Sequence, residues 1–258
     1  MERFGPWQLE RLIAVGGLGE IWDARRSGAK EESPVALKRL HTHLARNEEG
    51  LAQFTLEQRL ATTLPRHPNV VHAGEAGDVE GRPFVAMELA PGEDLRRILA
   101  PSVVLPRARA IAIVAAACRA AAHLHAHGWV HGDINPSNLI VDDSDHVTLI
   151  DLGIARAIGE AGSVRGTHAY MAPEQVRGEP WTPATDVFAL GIVLWELVAG
   201  ARLFHRGPPW LSMAAVVEQP APPLSDAALD TIVQHALHKD PAQRLGSPAD
   251  LVARLRPT

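Results

Sequence analysis

His131-Gly132-Asp133-Ile134-Asn135-Pro136-Ser137-Asn138 joins an Ala-rich apolar run to the short β-branched segment 139–141, and the rest of the chain can be ordered around it. Asp133 and Asn138 stand five residues apart in this turn-forming stretch. One loop therefore offers a carboxylate that can accept a hydroxyl proton and an amide oxygen that can ligate a hard cation. Beyond a second short strand at 147–150 comes Asp151-Leu152-Gly153, a further carboxylate at a strand end with a glycine behind it. Asp and Asn oxygens suit Mg²⁺, which keeps several waters and leans on substrate phosphates. Taken singly, each of these acids is more readily a turn or cap residue.

Toward the N-terminus the pattern is one of strands. Residues 7–15 and 20–26 flank the glycine turn Ala14-Val15-Gly16-Gly17-Leu18-Gly19-Glu20-Ile21. Lacking Cβ, such glycines let backbone N–H groups approach phosphate oxygens, although on their own an unliganded hairpin turn explains them more readily. No Gly-Lys-Ser/Thr follows, so this is not a Walker sequence. Residues 35–40 form a third strand with Lys38 in its middle, where a lysine either snorkels from an edge strand or meets an anion. Residues 46–64 carry Leu51, Phe54, Leu60 and Leu64 at helical spacing, and Glu57 on that helix is available to neutralise Lys38. Residues 70–75 and 83–89 read as two more strands before Ala90-Pro91-Gly92 breaks the pattern as a linker.

Toward the C-terminus the chain turns helical. Residues 106–127 are apolar on more than one face and read as a buried helix opened by Pro106. Further helices are expected at 182–199, 210–217, 227–237 and 247–255. A small lobe of five strands and one helix, hinged to a larger helical lobe, is the α+β architecture this predicts.

Composition narrows the function classes. At 258 residues the chain can build one large domain or two modest lobes sharing a cleft. A net charge of −5 gives no basic field to draw it to nucleic acid or anionic lipid. One cysteine, Cys118, excludes an internal disulfide and suits a reducing cytosol; its apolar surroundings read as core. The N-terminal residues lack signal-peptide character, and the apolar run 187–199 is too short for a membrane span and contains Glu196. His123, His125 and His127, spaced by two, fan around a helix so that only the outer pair can converge, which disfavours a metal site.

In order and spacing these motifs resemble the eukaryotic-like (Hanks-type) bacterial Ser/Thr protein kinases over about residues 7–256. The set comprises the glycine loop, Val35-Ala36-Leu37-Lys38, Glu57, His67-Pro68-Asn69, His131-x-Asp133, Asn138, Asp151-Leu152-Gly153, Ala172-Pro173-Glu174, and Asp186 with Gly191. The resemblance implies a bilobal kinase fold with a five-stranded antiparallel N-lobe at 1–89, a hinge at 90–93 and a C-lobe at 94–258. It implies ATP and Mg²⁺ as cofactors and protein substrates, and leaves the oligomeric state open; the cysteine usage and the lack of signal-peptide character point to a cytoplasmic location. In the roles it implies, Lys38 holds the α/β-phosphates and pairs with Glu57, Asp133 is the base, and Asn138 and Asp151 hold the metal. Nucleotide contacts fall to Ala14, Val15, Gly16, Gly17, Gly19, Ile21 and Ala36, to Met87 as gatekeeper, to the backbone of Glu88 and Ala90, and to Asp94 at the ribose. The activation segment runs from Asp151 to Glu174 and contains Ser163 and Thr167. Glu174 resembles half of a structural ion pair with Arg244, and Asp186 resembles the acid that braces the catalytic loop.

Three positions depart from the family's pattern. Ala14 stands at the first loop glycine, Gly132 at the Arg before the catalytic Asp, and Asn135 at a Lys that contacts the γ-phosphate. A non-Lys residue there resembles the loop of small-molecule phosphotransferases of the same fold. An active protein kinase, a nucleotide-binding pseudokinase and a small-molecule kinase therefore all stay open, although Ala172-Pro173-Glu174, Asp186 and Arg244 belong to a peptide-binding lobe.

Overall fold

A computed structural model of the chain describes residues 2–28, 33–99, 103–162 and 164–255. They fall into two compact units, residues 1–91 with 151–153, and residues 92–150 with 154–258.

The first unit is an antiparallel sheet with one helix. Its strands are β1 (Glu2–Phe4), β2 (Trp7–Val15), β3 (Gly19–Arg26), β4 (Val35–Leu40), β5 (Ala73–Val79) and β6 (Arg82–Glu88), in the order β1-β2-β3-β4-β6-β5. The five expected strands are joined by β1, which turns at Gly5 (φ 55°) to pair with the start of β2. Phe4 carries this addition, its ring edge-on to Phe84 at 5.9 Å in a core shared with Trp7, Leu9, Ala24, Leu37 and Ala86. β4 lies inside the sheet, with Lys38 opposite Ile21 of β3 and Val85 of β6, so Lys38 is not an edge lysine. β5 begins at Ala73, later than the expected residue 70, because Val70 and Val71 are buried in the preceding loop instead of paired in the strand. Helix α1 (Glu48–Thr63) starts after Asn47, whose side chain accepts the Gly50 N–H at 2.7 Å.

The second unit is mostly helical. It opens with β7 (Glu93–Asp94), α2 (Leu95–Ile98) and α3 (Arg107–Ala126), the last with Pro106 at its N-cap. β8 (Trp129–Val130), β9 (Leu139–Val141), β10 (Val147–Leu149) and β11 (Arg156–Ala157) follow, forming a β10-β9-β7 sheet and a β11-β8 pair. Then come α4 (Pro173–Val176), α5 (Pro183–Ala199), α6 (Pro209–Glu218), α7 (Ala227–Ala236) and α8 (Pro248–Leu255). α5 is buried from Ala184 to Leu197 and carries Glu196, which accepts hydrogen bonds from the Tyr170 hydroxyl at 2.5 Å and the Leu203 N–H at 2.9 Å. Those donors explain a carboxylate in an otherwise apolar run. Cys118 packs in the core on α3, where burial pushes its thiol well above the ordinary value. Among the described residues no helix is long and apolar enough to cross a membrane.

Candidate active site

Three of the singled-out residues meet in the first unit. Lys38 Nζ donates to Glu57 Oε1 at 2.5 Å and to Asp151 Oδ1 at 2.7 Å. β4 supplies the lysine and α1 the glutamate. The turn at 151–153 supplies the aspartate, with Asp151 in the left-handed region at φ 65°. Gln53 on α1 fixes that turn by donating to Gly153 O at 2.7 Å, and Gly153 N–H donates to Asp151 Oδ1 at 3.0 Å.

One ammonium thus faces two carboxylates, a local sum of −1. Burial alone would lower the Lys38 ammonium, but the Asp151 and Glu57 carboxylates outweigh it and hold the group above the ordinary lysine range. Burial pushes the Glu57 carboxyl up to about 7 against the pull of Lys38. Above that value the two groups form an ion pair, whose 2.5 Å contact is that of a charge-assisted bond. Glu57 Oε2 is buried with no hydrogen-bond partner among the described residues, whereas the Asp151 side chain is 36% exposed.

The glycine turn separates into two kinds of position. A methyl group on Gly19 would overlap the Arg39 carbonyl of β4, so that glycine is demanded by close strand approach. Around Gly16 and Gly17 the space is open, and no packing constraint requires either glycine. The turn closes through Gly16 N–H to Gly19 O at 2.8 Å, and Ala14 pairs with Ile21 below it, leaving Val15 63% exposed. Ala36 and Met87 are opposite one another across β4 and β6. Glu88 N–H donates to His72 O while its side chain meets Arg66, and Ala90 is half-buried.

The second unit holds the catalytic-loop candidates. Asp133 Oδ1 accepts the Thr167 N–H at 2.8 Å and Asn135 Nδ2 at 3.1 Å, while Oδ2 accepts Asn138 Nδ2 at 3.2 Å. Asn138 Nδ2 also reaches Asp133 O, an orientation in which its Oδ1 makes no hydrogen bond among the described residues. Asn135 is 2% exposed and fully used: Nδ2 also donates to Thr167 Oγ1 at 3.0 Å, and Oδ1 accepts the Ser137 N–H at 2.9 Å. Sequence reasoning saw at this position only a missing cation. Thr167, which it bonds, is 32 residues away, so no local signal announces the contact.

Asp186 on α5 accepts the His131 N–H, the Gly132 N–H and His125 Nε2 at 2.7–2.9 Å. Burial would raise its carboxyl, but the His125 and backbone hydrogen bonds overcome this and hold it below the usual carboxylate value. His125 is therefore committed to Asp186, whereas His123 and His127 lie ring to ring at 4.6 Å. Gln175, not singled out in the sequence, donates to Gly132 O at 2.8 Å from α4. Glu174 and Arg244 form a buried pair at 2.7 and 3.0 Å. Asp94 caps α2, accepting the Arg97 N–H at 3.0 Å. Ser163 lies outside the described residues.

Comparison with known proteins gives a consistent result. Residues 7–254 match the family described as the protein kinase domain. The chain is 35% identical over 261 residues to serine/threonine-protein kinase PknD of Mycobacterium tuberculosis, covering 96% of this chain and 39% of that protein. It is 35% identical over 271 residues to PknA of Mycobacterium tuberculosis, covering 98% of this chain and 62% of the relative. PknB of Mycolicibacterium smegmatis is 34% identical over 266 residues, 96% of this chain and 42% of that one. The chain thus spans about two fifths to three fifths of the length of these relatives.

Proposed function

Because this chain belongs to the protein kinase family, we propose that it transfers the γ-phosphate of ATP to Ser or Thr hydroxyls of other proteins. The observation that carries this reading is the buried Lys38 ammonium held at 2.5 and 2.7 Å by Glu57 and Asp151. A lysine fixed in this way, inside a sheet and opposite the strand that leaves the glycine turn, is a preorganised phosphate contact. Residues 90–93 are assigned as the hinge, with residues 1–89 and 94–258 as the two lobes. Ala14, Val15, Gly16, Gly17, Gly19, Ile21, Ala36, Met87, Glu88, Ala90 and Asp94 are assigned to the nucleotide.

The residues present also fit Mg²⁺. Asp151 and Asn138 are the assigned ligands, because one is a partly exposed carboxylate in a site with excess negative charge and the other has an amide oxygen left over. Bound with the nucleotide, the ion would neutralise charge on the phosphate oxygens. Asp133 takes the proton of the acceptor hydroxyl, its carboxylate aimed by the Thr167 N–H and by the two amides of Asn135 and Asn138. Gly166-Thr167, bonded at Asp133, is assigned to the approach of the peptide. Asp186 and Gln175 hold this loop at His131 and Gly132, and Glu174 and Arg244 are assigned to a structural ion pair of the C-lobe.

Asn135 favours a second reading, a binding module in which the nucleotide acts only as a ligand. Radiolabelled ATP with a generic protein acceptor, followed by mass mapping of phosphosites, decides between them. The kinase reading requires incorporation on Ser or Thr that Asp133→Asn abolishes while Mg-ATP binding persists. Mg-ATP binding without transfer by the wild type selects the module.

A further inference from the structure

The missing side chain at Gly132 has a physical counterpart within the second unit. A methyl group on Gly132, whose φ is 74°, would overlap one edge of the six-membered ring of Trp181. One on Gly162 would overlap the other edge of the same ring. Trp181 is 1% exposed, and its ring N–H is buried with no acceptor among the described residues. Shape therefore holds the indole in place, and its polar atom contributes nothing.

The backbone around it is fastened too. Gly159 N–H donates to Trp181 O at 2.8 Å, Trp181 N–H donates to Glu160 O at 3.0 Å, and Ala161 pairs with Pro180. Upstream, β11 pairs with β8, and Ile158 N–H donates to Gly128 O at 2.9 Å. Downstream, Thr167 is bonded to Asp133 and Asn135. The two arms of the activation segment are thus tied to the loop that carries Asp133 and to the strand that enters it, and the indole lies against both glycines.

We propose that Trp181 is a positioning residue for phosphoryl transfer: its indole, wedged between Gly132 and Gly162, keeps the activation segment ordered against the Asp133 loop without any phosphate on the segment. This rests on the protein kinase reading. A close-packed slot with a glycine on each side restrains position to fractions of an ångström, because neither neighbour can take up a methyl group without displacing the ring. With glycine at 132, a charged contact from that position to a segment phosphate has no side chain to make it. The aromatic wedge therefore performs the ordering in its place.

Gly162→Ala tests this without the backbone penalty that Gly132→Ala would add. Hydrogen exchange over residues 156–167, peptide kcat and KM, and the Mg-ATP Kd are measured on the full chain. The expected result is roughly tenfold faster exchange and about tenfold lower peptide kcat/KM, with the Mg-ATP Kd within about twofold. Adding Trp181→Phe, which shrinks the ring and removes the unpaired N–H, restores most of both losses. Phosphatase treatment of the wild type leaves its rate within about twofold. Unchanged exchange in Gly162→Ala, an equal loss of ATP affinity, failure of Trp181→Phe to restore, or a rate abolished by phosphatase overturns the proposal. A wild type that binds Mg-ATP yet transfers nothing sinks the kinase reading instead. The exchange and rescue arms need no activity and still decide whether Trp181 holds the segment.

Discussion

Replacing Lys38 by Met leaves Glu57, itself 3% exposed, without its cation. Breaking a buried pair from one side costs about 3–5 kcal/mol, because the partner's charge stays desolvated. For 258 residues the entropy of unfolding near the midpoint is roughly 0.5 kcal/mol per degree, so Tm should fall by about 6–10 °C. The double variant Lys38→Met/Glu57→Leu removes the stranded charge as well. Asp151 is a third exposed and can hydrate itself, so this variant should return to within about 2–3 °C of wild type.

The pH dependence has a definite sign. Burial raises the folded pKa of Glu57 from its unfolded value near 4.5 to about 7, so the folded state binds the extra proton. The stability this contributes is complete below pH about 4.5 and is lost as pH rises through the folded value. Without Lys38 the folded value climbs further, so the deficit of Lys38→Met must be smaller at pH 5 than at pH 8. Differential scanning calorimetry of the single and double variants at both pH values measures all of this. A deficit under about 1 kcal/mol, additive single effects, or a deficit independent of pH would falsify the buried-pair account.

Asn135→Lys adds a cation where charge shifts in the transition state. Single-turnover assays should give about a tenfold higher rate with little change in ATP affinity, the gain being limited by loss of the Ser137 cap. No rise in rate removes the case for a missing phosphate cation. Gly17→Ala should leave Tm within about 1 °C, whereas Gly19→Ala, blocked by the Arg39 carbonyl, should lower it by several degrees; equal effects contradict the division of the glycine turn. Asp186 contributes stability that is present above pH about 3.9 and lost as pH falls through its depressed folded value. Asp186→Asn should therefore flatten the acid limb of the stability curve, and an unchanged limb in acid titration would count against the brace.

The fold was legible wherever chemistry is local. A short apolar run marked β4, helical spacing marked α1, and the turn formers between α3 and β9 marked the loop of Asp133 and Asn138. β1 was not legible, because Phe4 is a lone apolar residue whose burial depends on Phe84, far along the chain. Val70-Val71 imitated a strand because a buried loop and a strand use the same side chains. At the site, charge types at fixed spacing picked out Lys38, Glu57, Asp133 and Asp151. The work done by Asn135 and Trp181 arises from contacts made across tens of residues. A pattern comparison registers the first only as a lost lysine and gives the second no mark at all.

The lone thiol on α3 has an experimental consequence. Cys118 is 1% exposed and its thiol is pushed far up by burial, so a thiol reagent finds neither access nor thiolate while α3 stays packed. Labelling can then proceed only through molecules that have opened the helical core. Its rate, followed against reagent concentration, reads the opening rate of that core separately from events in the sheet, with no engineered probe. A cysteine introduced on the surface can be modified selectively beside it, since the native one stays silent on the timescale of the reaction.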